Sequence, residues 1–145
     1  MTTVNVYLTF DGTCKEAFEF YKSVFGGEFQ NISTFGEMPP QEGMPPISDD
    51  YKDKIMHVSL PISTETILMG SDKGGGWGPD LTVGNNFSLS VNPSSKEEAD
   101  QIFNALGAGG TVTMPIAEAF WGAYFGMLTD RFGINWMVNY ELPKS

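Results

Sequence analysis

One cysteine, one histidine and eight basic residues are all that a chain of 145 amino acids contains of these types. The single Cys14 excludes a disulfide within the chain and a cysteine-rich zinc site, and the single His57 excludes a His-rich metal centre. The 8 Lys and Arg face 18 Asp and Glu, for a formal net charge of −10. Nucleic-acid binding through a basic patch is therefore excluded, because phosphates need cationic neutralisation. Docking on an anionic membrane surface is disfavoured for the same reason. No apolar run approaches the roughly 18 residues that a membrane-spanning helix needs. Met1-Thr-Thr-Val-Asn5 lacks the charged start and apolar stretch of a signal peptide, so a cytoplasmic protein is expected. Hydrophobic residues make up 41% of the chain, enough for a core and too many for a disordered segment.

What is present is a repeat. Val6, Leu8 and Phe10 alternate with Asn5, Tyr7 and Thr9, the pattern of a half-buried strand. Thr13-Cys-Lys-Glu16 has the form of a capping box, and Cys14, Ala17, Phe18, Tyr21, Val24 and Phe25 follow helical spacing up to Gly26-Gly27. Strands are expected near 28–35, 54–62 and 66–71. The same order then returns. Phe87, Leu89 and Val91 alternate with Asn86, Ser88 and Ser90. Ser95-Lys-Glu-Glu98 repeats the cap, and Ala99, Ile102, Phe103 and Leu106 form the helix face up to Gly109-Gly110. Strands follow near 111–116, 124–129 and 134–140, the last two joined by a turn at Asp130-Arg-Phe-Gly133. The chain thus reads as one domain, 1–145, with module one at about 1–72, a linker at about 72–84 and module two at about 85–145.

Two segments stand outside the repeat. Residues 36–53 contain Met38-Pro-Pro40 and Met44-Pro-Pro46, too dense in proline for regular structure. They read either as a lid or partner arm, or as mobile surface. Gly74-Gly-Gly-Trp77-Gly-Pro79 joins the halves. A glycine-rich phosphate cradle needs a helix directly after it and commonly a Lys. The next expected element here is a strand, so the segment reads as linker.

The stretches Tyr7-Leu-Thr-Phe-Asp-Gly12, Ala17-Phe-Glu-Phe-Tyr-Lys22 and Val24-Phe-Gly-Gly27 carry a resemblance in the first half. Lys54-Ile-Met-His57 and Met69-Gly-Ser-Asp72 continue it. Gly109-Gly-Thr-Val-Thr-Met-Pro115, Phe120-Trp-Gly122, Phe125-Gly-Met-Leu-Thr-Asp130 and Phe132-Gly-Ile-Asn-Trp136 complete it. The chain resembles the PhnB-like branch of the vicinal oxygen chelate superfamily, the glyoxalase and bleomycin-resistance fold. The resemblance implies an α+β fold of two β-α-β-β-β modules, with mixed sheets curled into cups and helices on their outer faces. On that fold Val6, Leu8, Phe10, Met56, Val58, Leu60, Ile62, Phe87, Leu89, Val91, Ile134, Trp136 and Val138 would face the helices. Asn5, Tyr7, Thr9, His57, Ser59, Asn86, Ser88, Ser90, Asn135, Met137 and Asn139 would face the cups. Polar inner faces imply contact with water, a ligand or a partner chain.

Metal-dependent members of the class hold a divalent ion with four side chains, typically His, Gln or Glu, from the first and last strand of each module. By strand position those slots fall on Asn5, Met69, Asn86 and Met137, to within about one residue. Asn offers only a neutral carbonyl oxygen, and a thioether is a soft ligand suited to copper(I). No metal and no other cofactor is expected. Lactoylglutathione isomerisation and ring-cleaving dioxygenation are accordingly disfavoured.

His57 is a candidate general base, although a hydrogen-bonded histidine on a polar sheet face is the plainer reading. Cys14, on the buried helix stripe, reads as core rather than as a reactive thiol. Glu118, Phe120, Trp121 and Tyr124 could bind a planar or cationic ligand, or build an interface between chains. Trp77 has the same double reading, and Trp136 reads as core. A ligand-binding set of Asn5, Tyr7, His57, Met69, Asn86, Ser88, Trp121, Tyr124 and Met137 follows from the cup.

The expected function is binding of a small molecule, a cationic ligand being permitted by the acidic chain, within a homodimer that contacts neither nucleic acid nor membrane. The alternative is a metal-independent enzyme with His57 or Glu118 as acid–base group. Parts of the family bear the name of a demethylubiquinone methyltransferase. That activity is not expected here, since no Gly-rich strand–loop–helix unit for the methyl donor is present.

Overall fold

The computed structural model describes residues 2–37, 39, 42, 43, 46–73 and 80–143. It divides into two compact units, residues 1–82 and 83–145. The first unit contains β1 (Val6–Phe10), α1 (Cys14–Phe25), β2 (Asn31–Thr34), β3 (Ile55–Pro61) and β4 (Ile67–Asp72). Its sheet has the order β1-β4-β3-β2, with β1 parallel to β4 and the other pairs antiparallel. The second unit contains β5 (Leu89–Val91), α2 (Lys96–Gly107), β6 (Thr111–Glu118), β7 (Ala123–Thr129) and β8 (Asn135–Glu141). Its order, β5-β8-β7-β6, has the same pattern of one parallel and two antiparallel pairs. Each unit is thus a β-α-β-β-β module with a mixed sheet, the α+β class expected from the repeat.

The helices form because their apolar stripes have a sheet to lie on. Cys14, Ala17, Phe18 and Tyr21 are the buried residues of α1; Ala99, Ile102, Phe103 and Leu106 are those of α2. Leu8, Phe10, Val58, Leu60 and Leu68 are buried in the first unit, and Leu128, Trp136 and Val138 in the second. One glycine per sheet lets an aromatic ring come close. A Cβ on Gly70 would lie 2.7 Å from the Phe18 ring and from the Leu8 carbonyl oxygen. A Cβ on Gly126 would lie 2.6 Å from the Phe103 ring and 2.8 Å from the Ile116 backbone.

The two caps differ. Ser95 accepts the Glu98 N–H at 3.1 Å, as a capping box requires, while Glu98 reaches back to the N–H of Ser94 at 3.4 Å. Thr13, expected to do the same, makes no side-chain cap bond. Asp72, at the far end of β4, replaces it. One carboxylate oxygen accepts from Gly12 N–H at 2.8 Å and Cys14 N–H at 3.0 Å, and the other from Ile55 N–H at 2.8 Å. A carboxylate beside the first helical N–H groups also suits the positive end of the helix dipole.

Two face assignments need correction. Met56 was expected to face α1, but the ladder skips it: Ser33 pairs with His57 and Thr34 with Ile55. This bulge resets the alternation, and Ile55, 1% exposed, takes the core position. Phe87 was expected on the helix side of its strand. It precedes β5, which begins at Leu89, and is 59% exposed.

In the proline-rich stretch, the turns Phe35–Glu37 and Asp49–Tyr51 are short 3-10 helices lying clear of the prolines. The Tyr51 hydroxyl donates to the Lys73 carbonyl and ties the second turn to the end of β4. Met38, Pro40, Met44 and Pro45 lie outside the described residues, as does the glycine-rich stretch 74–79 with Trp77.

Candidate functional site

The helix-free face of the second sheet carries the main candidate site. Along β8, Trp136 and Val138 are buried towards α2, so Asn135, Met137, Asn139 and Glu141 point the other way. Register places Thr129, Met127, Phe125 and Ala123 of β7 opposite them. A tight turn joins β6 to β7: Gly122 N–H donates to the Ala119 carbonyl at 3.1 Å, and Ala119 N–H to the Ala123 carbonyl at 2.7 Å. Gly122 has φ +88°, which a glycine adopts without steric cost. The turn presents Phe120 and Trp121, which are 98% and 56% exposed. The Trp121 ring stands edge-on to Phe125 at 5.5 Å between centroids. Beneath Trp121 opens a cavity of about 570 Å³, lined further by Asn139, Glu141, Leu142 and Pro143. It therefore combines an aromatic wall, an amide and a carboxylate.

Of the residues singled out from sequence, Trp121 and Met137 lie on this face. Ser88 is half-buried just ahead of β5, and Asn86 is exposed outside the strand. Tyr124 and Glu118 lie opposite each other on the other side of the sheet, towards α2. There the Tyr124 hydroxyl donates to Asp100 at 2.6 Å, and Lys96 sits 4.7 Å over the Tyr124 ring and 3.5 Å from Glu118. The bond to Asp100, helped by desolvation and by the charges of Asp100 and Glu118, raises the Tyr124 pKa above its ordinary value. Asn139 and Glu141 were not among the sequence candidates for the ligand set. Extending the β8 alternation by one more same-face position, from 135, 137 and 139 to 141, is the signal that finds Glu141.

In the first unit, the row Tyr7, Met69, Ser59, Asn31 runs across all four strands. His57 stands beside this row. Its Nδ1 lies 3.0 Å from Asn31 Nδ2, and its ring centroid lies 6.0 Å from that of Tyr7. Asn5 precedes β1, and its side-chain oxygen accepts the Ile67 N–H at 3.3 Å. Cys14 is fully buried, and burial, reinforced by the Asp72 charge, pushes its thiol well above its ordinary pKa. It is a core residue.

The registers also show what stands beside the two methionines expected at metal slots. Met69 pairs with Tyr7, not Asn5, and Met137 pairs with Ser90, not Asn86. A phenol, a hydroxyl and two thioethers do not fit zinc, nickel or iron(II), which take imidazole and carboxylate. Among the described residues no three His, Cys, Asp or Glu side chains cluster as metal ligands.

Two mixed four-stranded sheets, each with one helix in β-α-β-β-β order, give a fold shared with a glyoxalase/bleomycin resistance protein/dioxygenase family enzyme from Burkholderia phytofirmans, 19% identical with a TM-score of 0.56. Residues 2–139 match the model of the 3-demethylubiquinone-9 3-methyltransferase family, to which the chain belongs. It is similar to a solved Pseudomonas aeruginosa protein, PA1353, with 40% identity over 99% of this chain and 100% of that one and a TM-score of 0.83. A Bacillus cereus PhnB protein, described as a putative 3-demethylubiquinone-9 3-methyltransferase, shows 25% identity over 96% and 99% of the two chains, with a TM-score of 0.74. The Escherichia coli K12 protein YjdN is 31% identical over 138 residues, 92% of this chain and 91% of that one.

Proposed function

We infer that the chain is a binding protein for a small organic molecule with a flat or apolar body and a cationic group, held in the Trp121 cavity without a metal. The juxtaposition of Trp121, Asn139 and Glu141 around that cavity carries the reading. An indole face and an adjacent carboxylate attract the same cation, the first through its quadrupole and the second through its charge. A volume near 570 Å³ leaves room for a small organic molecule. Binding is favoured over catalysis because both acid–base candidates are engaged: Glu118 by Lys96, and the His57 Nδ1 by Asn31. Methyl transfer is not part of the reading, since the first element after residues 74–79 is the strand β5 rather than a helix.

The reading includes a homodimer in the cytoplasm. Phe120, almost wholly exposed on its turn, is the kind of apolar residue that an interface covers. Among the described residues no helix is long and apolar enough to cross a membrane. Sedimentation at micromolar concentration should give twice the chain mass, and a monomer would refute the dimer.

A thermal-shift screen of aromatic amines, with proflavine as the reference probe, tests the site. A ligand at about 100 times its Kd adds roughly 2.7 kcal/mol to stability. Trp121→Ala and Glu141→Gln should each weaken proflavine binding about tenfold, within the range for losing an aromatic or charged contact. Unchanged binding in both variants would remove the cavity from consideration.

A further inference from the structure

Three methionines of the second unit stand side by side on neighbouring strands. Met137 of β8 pairs with Met127 of β7, and Met127 pairs with Met114 of β6. Directly opposed residues hold their Cβ atoms about 4.5–5.5 Å apart, so flexible side chains at these positions can bring their ends together. The row lies on the sheet face away from α2, since its neighbours Leu128, Trp136 and Val138 are the buried ones.

The third methionine is there because the ladder is irregular. Val112 pairs with Leu128, and an unbroken antiparallel register would set Thr113 opposite Met127. The register slips instead, and Met114 takes the place of Thr113. A second slip follows between Met114 and Ala117. Bulges re-aim side chains, and the first slip brings a thioether where a hydroxyl would stand. Met114 is 46% exposed, and Met127 and Met137 are half-buried, so the row is reachable from solvent. Among the described residues the first unit has no counterpart: its row holds a single thioether, Met69, between Tyr7 and Ser59.

We propose that Met114, Met127 and Met137 bind a soft monovalent cation, copper(I) or silver(I), through three thioether sulfurs. Thioethers select such ions over zinc, iron(II) or magnesium, which prefer imidazole, carboxylate or water. The row contains no group of the latter kinds. The chain's net charge of −10 draws cations to its surface. Thioethers bind no proton in the working range, so occupancy persists at pH 5.5, where imidazole sites compete with protons.

The test uses the whole chain with its eight methionines carrying 13C methyl groups, titrated with silver(I) at pH 5.5. The expected result is saturation near one equivalent, with shifts at the Met114, Met127 and Met137 methyls and none at Met69. Met127→Leu should weaken silver(I) binding at least fivefold. Met69→Leu should leave it unchanged, and so should Cys14→Ala. If Met127→Leu does not fold, Met114→Leu on the exposed edge provides the same reading. Silver(I) that shifts Met69 equally, binding that is lost in Cys14→Ala, or less than a fivefold loss in the folded row variant would each overturn the site. None of these outcomes bears on proflavine in the Trp121 cavity.

Discussion

Asn31 donates its amide N–H to Nδ1 of His57 at 3.0 Å. A neutral imidazole that accepts at Nδ1 carries its proton on Nε2. His57→Ala should leave proflavine affinity at the Trp121 cavity unchanged and lower stability by about 1 kcal/mol, the usual worth of one such hydrogen bond. Denaturant unfolding and fluorescence titration check both. A turnover that vanishes in this variant while binding stays would support the enzymatic alternative.

Asp72 and Asp130 are both 3% exposed, and each accepts three N–H groups. Asp130 takes those of Phe132 and Ile134 with one oxygen and the Trp136 indole with the other, at 2.8, 3.0 and 2.9 Å. Removing either carboxylate strands buried donors. Asp72→Ala and Asp130→Ala should each cost about 3–5 kcal/mol, since each orphaned buried group costs about 1–3. Urea midpoints measure this, and a loss below about 1 kcal/mol would contradict the three-bond arrangement.

Alkaline pH should weaken the fold, and Cys14 and Tyr124 are two of the groups through which it acts. The Cys14 thiol and the Tyr124 phenol have folded pKa values raised above their ordinary 9.0 and 10.0. For a raised pKa, the stabilisation is complete below the unfolded value and is lost as pH rises towards the folded one. Stability should therefore fall above pH 9 through Cys14 and above pH 10 through Tyr124. The gap in urea midpoint between the parent and Cys14→Ala should narrow from pH 8 to pH 10.5, and that for Tyr124→Phe should narrow above pH 10. In the native state Cys14 should resist alkylation until the chain unfolds.

Gly126→Ala tests the close approach of α2 to its sheet. Its Cβ would meet the Phe103 ring and the Ile116 backbone at under 3 Å. Overpacking of this kind costs about 1–3 kcal/mol. Phe103→Leu, which relieves part of the clash, should recover some of that loss in a double-variant cycle.

Much of this fold could be read from periodicity. The helix stripes at Cys14, Ala17, Phe18 and Tyr21 and at Ala99, Ile102, Phe103 and Leu106 are contiguous in sequence, and so is the Ser95 cap. What was not legible depends on partners far along the chain. The Thr13 signature was sound locally, yet Asp72, 58 residues from Cys14, satisfies that helix end. The exchange of Ile55 for Met56 and the arrival of Met114 opposite Met127 both come from bulges, which exist only once two strands are paired. The strand partners of Met69 and Met137 were likewise hidden until the strands paired: they are Tyr7 and Ser90. Of the candidate site, Trp121 and Met137 were visible beforehand, whereas Asn139 and Glu141 acquire meaning only beside the turn that carries Trp121.

The irregular β6 has a consequence for how this chain behaves in a crowded solution. It is the edge of its sheet, with Val112 and Met114 both 46% exposed, and such a strand invites another chain to add to it. Two register slips and Pro115, which has no N–H to offer, break the row of donors and acceptors that an incoming strand would need. The same kinks that gather the methionines thereby deny an incoming strand a continuous ladder.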